Sequence, residues 1–322
     1  MDYEALLRES FRISIRKPHL WFFGFFAGGS TFSVNFTNSG DSGDDSFGFL
    51  GTGELALAAQ SVPDASGAGA TALSVLLVIV LVIVSLILFA LLVLSRGALV
   101  DSVAVLRQGG VRKFVSTWSA GARNFWRVLL FFLLYIIVFL LVALVTLVPL
   151  GFLGWAVWSG VESIALKLIL AFFGALIVGL ILIVLFLALY IVAQFGLRAL
   201  IIDQAGVIGA FGRGLDLFRH NLGRSLLIAQ IQAAIMVGIV LLLLPVIFFV
   251  SFLPLIAFQS ALTGDFSAAG LNVALVTIGV LFGIPFLIFS AILGTFNSAY
   301  WTIGYQRMTG TVNRASAPEN PS

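Results

Sequence analysis

The chain has 322 residues, of which 61% are hydrophobic and only 10% charged, and its mean hydropathy is +1.15. Soluble domains carry roughly a quarter charged residues, so a water-soluble globule is excluded and lipid is the solvent for most of the chain. A net charge of +3 gives no ground for a nucleic-acid partner, the lack of cysteine excludes disulfides and thiolate chemistry, and His19 and His220 alone do not make a histidine-rich metal site.

Residues 2–17 place Tyr3, Leu7 and Phe11 at helical spacing among Glu4, Arg8, Glu9, Arg12, Arg16 and Lys17. This predicts an amphipathic helix on the membrane surface, ended by Pro18. The apolar run Leu20–Ala27 is shorter than the roughly 20 residues a crossing needs. It extends through Thr31–Phe36, with local thinning of the bilayer, or is re-entrant; a cleavable signal peptide is a third reading, since small residues follow the apolar core, but the acidic residues upstream and the short core count against it. Residues 30–71 hold no Lys or Arg and are rich in Gly, Ser, Asp and Asn, which predicts a flexible acidic loop. Its cluster Asp41, Asp44 and Asp45 lacks the ligand alternation of a calcium loop.

Spans follow at about Thr71–Leu94, Val128–Phe152, Ile164–Ala193, Ser225–Val250 and Asn272–Ala299, none with a charge in its middle. Trp155 and Trp158 suit a membrane interface, and Pro254 falls in a predicted loop ending near Asp265 and Gly270. The tail 311–322 reads as disordered. The whole is an all-α polytopic transmembrane bundle of about six spans, a single integral membrane domain over 1–310. Lys and Arg fall in 1–18, 95–127, 198–224 and 307–314, and six crossings put all of these on one side with only Lys167 opposite. The positive-inside rule then makes both termini cytoplasmic in a multi-pass plasma-membrane protein.

The basic stretches repeat. Arg96-Gly97-Ala98-Leu99-Val100-Asp101 matches Arg198-Ala199-Leu200-Ile201-Ile202-Asp203, and Asn124-x-x-Arg127 matches Asn221-x-x-Arg224. The pattern predicts an internal two-span repeat, 95–194 and 197–300. Each basic stretch carries an apolar helical stripe, Val111, Phe114, Val115 and Trp118 in one and Phe211, Leu215 and Phe218 in the other. These are expected to be amphipathic elbow helices joining spans. Arg112, Lys113, Arg127, Arg213, Arg219 and Arg224 are the candidates for lipid headgroup contact. Arg96 with Asp101, and Arg198 with Asp203, are the candidate elbow anchors, through a local ion pair or a contact with a basic elbow; a spacing of five is not an ideal helical pair.

Uncharged polar residues Gln194, Gln230, Gln232, Asn297 and Tyr300 lie toward the same ends of the spans. Interhelical hydrogen bonding is the plain reading, and a small polar pocket around Gln194, Gln230 and Asn297 is the functional one. The sequence Gly279-Val280-Leu281-Phe282-Gly283, continued by Ser290 and Gly294, gives the last span a small-residue face for packing within the chain, for a homodimer or for a protein partner. Pro245 and Pro285 predict kinks. Phosphate-binding, zinc-protease and hydrolase motifs are absent, and no cofactor is implied.

The order of elements resembles the glycerophosphoryl diester phosphodiesterase membrane-domain family and related bacterial six-span proteins. The likeness is carried by Phe11-Arg12-Ile13-Ser14-Ile15-Arg16-Lys17-Pro18-His19-Leu20-Trp21, by Gly209–Asn221 and by Ala299-Tyr300-Trp301-Thr302-Ile303-Gly304-Tyr305. In those enzymes hydrolysis belongs to a separate barrel domain with histidines and metal-binding acids, for which this chain has no room. The resemblance therefore implies a membrane module without the enzyme. The expected function is a non-enzymatic module binding lipid or a partner protein, with a transporter or exporter of a small or amphiphilic molecule as the alternative.

Overall fold

A computed structural model describes residues 2–28, 68–160, 162–262 and 268–310, and among them there is no strand. Among the described residues eight helices follow in order: α1 (Tyr3–Arg16), α2 (His19–Gly28), α3 (Ala68–Arg107), α4 (Phe114–Gly160), α5 (Ile164–Ile202), α6 (Val207–His220), α7 (Leu222–Leu262) and α8 (Ala268–Thr309). Among the described residues α3, α4, α5, α7 and α8 are long and apolar enough to cross a membrane. The chain is a polytopic membrane protein. α2 has 10 residues; its continuation through 31–36, the acidic loop 30–67 and the tail 311–322 lie outside the described residues.

Why lipid is the solvent can be read from the side chains. Along α3, Val75–Val80 are all exposed, and Leu86 is 62% exposed; the outer surfaces of α4 and α5 are similarly bare. An apolar surface of that extent would aggregate in water. In hydrocarbon it costs nothing, while every backbone N–H and C=O must be satisfied within its own helix. That same demand carries α7 through Pro245 and Pro254 to Leu262, so Pro254 sits in a helix and not in the expected loop. The residues around it are apolar, and losing one N–H is cheaper than unwinding them in lipid.

The chain divides into two compact units. The first comprises residues 1–122 and 244–300, the second 123–243 and 301–322. In the first, Asp2 caps α1 by accepting from the Ala5 N–H at 3.0 Å, and Pro18 turns the chain into α2. Leu20 and Phe23 of α2 pack on Ala98 and Leu99 of α3, and the rings of Phe22 and Phe23 meet Phe114 and Trp118 at the start of α4. On its other side α2 approaches α8 through glycine. A Cβ on Gly28 would lie 2.6 Å from the Gly294 Cα, and Gly24 meets Thr295 and Ala291. Thr295 Oγ1 donates to the Leu20 carbonyl at 3.2 Å. The small face of α8 at Ser290–Thr295 is therefore covered by α2 of the same chain, whereas Gly283 has open space beside it.

In the second unit the buried residues gather at one end of the long helices. Ile191, Val192, Phe195 and Ala199–Ile201 of α5 pack with Val128 and Phe131 of α4, Ile228 of α7 and Trp301, Ile303 and Tyr305 of α8 in a layer beneath α6. α6 lies close on α5: a Cβ on Gly214 would stand 2.6 Å from the Val192 carbonyl oxygen and 2.8 Å from the Gly196 nitrogen.

Candidate functional site

Of the two expected elbow helices only the second is a helix of its own, α6; the first basic stretch is a turn at 108–113, and its stripe residues Phe114, Val115 and Trp118 open the long helix α4, because the apolar run that follows continues the same helix. Both stretches share one contact, an acidic residue near the end of a span with an arginine from the segment that follows. In the first unit α3 runs on past Arg96 and Asp101 to Arg107, because Leu99, Val100 and Val103 keep an apolar face buried. Gly109 then takes φ +81 and the Gly110 N–H returns to the Val105 carbonyl at 3.0 Å, a glycine-closed helix end. This reversal brings Arg112 back onto the Asp101 carboxylate in a pair whose side chains are only 18% and 14% exposed. The buried Ser102 hydroxyl donates to Thr117 Oγ1 at 3.1 Å and ties α3 to α4.

In the second unit Asp203 ends α5, its N–H bonded to the Ala199 carbonyl at 3.2 Å. Gln204 adopts φ +53, a left-handed conformation unusual for a residue with a side chain. What holds it is Arg127, which donates to Gln204 Oε1 and, at 2.9 Å, to the Ala205 carbonyl, while Gln204 Nε2 donates to the Ile201 carbonyl at 2.8 Å. Asp203 Oδ2 accepts from Tyr305 at 2.5 Å and from Arg213 at 3.4 Å, and the Arg213 side chain is 56% exposed. Neither aspartate pairs with the arginine five positions before it, since residues five apart on a helix do not share a face. Arg198 is buried and donates to the carbonyl and side-chain oxygens of Gln194 instead. Arg96 is half-buried within α3.

Below the second elbow lies a hydrogen-bonded layer. Trp301 Nε1 donates to Gln232 Oε1, and Gln232 Nε2 reaches the Tyr190 hydroxyl at 3.4 Å. Phe195 packs edge-on to Trp301 at 5.4 Å. The buried glutamine of α7 is thus Gln232. Gln230, expected in the pocket, is exposed, because two residues along a helix turn a side chain to the far side. Asn297 is half-buried in the other unit. Gln194 is engaged by Arg198, and the residues that complete the layer, Tyr190 and Trp301, carry no hydropathy signal that sets them apart from the interfacial aromatics.

The six headgroup candidates separate by environment. Arg112 is taken by Asp101 and Arg127 by the Gln204 turn. Lys113, Arg219 and Arg224 are exposed, and Arg213 is held only loosely by Asp203. α6 buries Ala210 and Gly214 and turns Ile208, Arg213, Arg219 and His220 outward, with Leu222 and Arg224 just beyond the bend at Asn221. Ile208 is 80% exposed. Guanidinium groups beside bare aliphatic side chains can bind phosphate oxygens while the apolar groups enter the acyl boundary. Among the described residues no three His, Cys, Asp or Glu side chains come together.

A family of unknown function (DUF7544) matches residues 19–303. No curated protein and no solved structure matches the chain.

Proposed function

We propose, for a chain that belongs to the DUF7544 family of unknown function, a non-enzymatic membrane module that binds anionic lipid headgroups through the outward face of α6 and the start of α7. The observation that carries this reading is the contrast between arginines: Arg112 and Arg127 are consumed by the fold, while Arg213, Arg219 and Arg224 stand outward beside exposed Ile208 and Leu222. Juxtamembrane cations of this kind each contribute about 1 kcal/mol toward an anionic leaflet. The distribution of Lys and Arg supports cytoplasmic elbows and termini in the plasma membrane. The likeness to the phosphodiesterase membrane domain supports a membrane module without the enzyme, and the hydrolase reaction is no part of the proposal.

The test is native mass spectrometry of the full chain released from mixed phosphatidylcholine and phosphatidylglycerol nanodiscs. Arg213→Gln, Arg219→Gln and Arg224→Gln combined should lower phosphatidylglycerol retention by about fivefold per charge. Retention equal to that of the parent chain refutes lipid recognition by this elbow.

A further inference from the structure

α1 is turned the opposite way from a helix lying on a water-facing surface. Its buried residues are Leu6, Ser10 and Ser14. Ser10 Oγ donates to the Leu6 carbonyl and Ser14 Oγ to the Ile292 carbonyl of α8, each at 2.8 Å. Its outward side carries Phe11, 57% exposed, and Ile15, 47% exposed, beside exposed Arg8, Arg12 and Arg16. Steps of four put residues 11 and 15 on one stripe and 8, 12 and 16 on the next. Water would select the reverse, with the serines outside and the phenylalanine within.

The helix cannot roll to correct this. Ser14 is fixed to α8, Trp21 Nε1 donates to the Ser14 carbonyl at 2.7 Å, and Glu9 pairs with Arg107 of α3 at 3.0 Å. Its charges are also sorted. Glu4 is taken by Arg8 at 2.7 Å, Glu9 by Arg107, and Asp2 by the cap of α1. Arg12, Arg16 and Lys17 have no acidic partner among the described residues. An outward face that is aromatic, aliphatic and positive has one medium that suits all three characters, the headgroup layer of an anionic bilayer.

We propose that α1 is a second anionic-lipid site, fixed to the fold, with Phe11 and Ile15 at the headgroup–acyl boundary and Arg12, Arg16 and Lys17 on lipid phosphates. It involves other residues than the α6 elbow, in the other unit, and stands if that reading fails. The chain has no cysteine, so Phe11→Cys carries a single bimane label in the full protein reconstituted in phosphatidylcholine and phosphatidylglycerol vesicles. Lipids with a nitroxide near the headgroup should quench it strongly, and aqueous iodide weakly. Iodide quenching equal to that of free bimane-cysteine overturns the proposal, and so does quenching by neither agent, which would mean that protein covers this face. In the mass-spectrometric assay, Arg12→Gln, Arg16→Gln and Lys17→Gln combined should lose phosphatidylglycerol by about fivefold per charge, while Arg12→Lys with Arg16→Lys keeps it. An unchanged lipid preference in the triple variant removes the phosphate contacts. The Arg213, Arg219 and Arg224 variant should leave the quenching of the label at position 11 unchanged, which keeps the two sites distinguishable.

Discussion

At Gly294 the backbone of α8 faces Gly24 and Gly28 of α2 with space for hydrogen alone; a Cβ there would lie 2.9 Å from the Gly28 Cα and closer still to the Gly24 carbonyl. The atoms in the way are backbone, which cannot swing aside. Gly294→Val should therefore cost about 3 kcal/mol or separate the helices, seen as a lower thermal midpoint by tryptophan fluorescence, whereas Gly283→Ala, beside open space, should change it little. His19 offers a pH test at the same scale. Its Nε2 is buried without a hydrogen-bond partner, and burial first, with Lys17 second, pushes its pKa below the ordinary 6.5. The unfolded chain then binds a proton more readily than the folded one, so the stabilising contribution is complete above pH 6.5 and is lost as the pH falls through the window beneath it. The thermal midpoint of the parent chain should drop below about pH 6.5, and His19→Gln should flatten that drop.

Between elements, the two Asp–Arg contacts look alike in sequence and differ in consequence. Arg112 and Asp101 are largely buried together, so Arg112→Gln leaves a carboxylate unpaired away from water and should cost about 2–3 kcal/mol. Arg213 is mostly exposed and Asp203 keeps Tyr305, so Arg213→Gln should lie within about 0.5 kcal/mol of the parent. Chemical denaturation of both variants in detergent checks the contrast. The spans and the basic elbows were legible because hydropathy and charge are properties of composition, and lipid reads composition. The helical phase of single polar residues was not: Gln230 and Gln232 look equal in the sequence, and only packing decides that Gln232 meets Trp301. The partner of the α8 small-residue face was missed for a related reason. Gly24 and Gly28 have the spacing, but lie in a run too short to be read as a span, 275 residues from the helix they serve at the Thr295–Leu20 bond.

For the whole molecule, the apolar length is greater than one crossing requires. Val128–Gly154 of α4 extends about 40 Å at ~1.5 Å per residue, against a hydrocarbon core of roughly 30 Å, a surplus that tilt accommodates. The buried residues of the second unit gather at the elbow ends and the opposite stretches face lipid, so most of its specific packing lies on one side of the bilayer. Which side is an accessible measurement in a chain without cysteine. A membrane-impermeant maleimide should label Glu162→Cys in intact cells, and Gln108→Cys only after permeabilisation.

The clasp between α2 and α8 also has a meaning in time. A ribosome delivers α1 and α2 well before α8, so Gly24 and Gly28 have nothing to close upon until α8 has entered the membrane. Ser14 and Leu20 likewise wait for Ile292 and Thr295. Arrival of α8 is thereby the event that fastens α1 and α2. A chain stopped after Leu262 should insert its middle spans yet leave α1 and α2 open to proteolysis, and supplying α8 as a separate polypeptide should restore their protection.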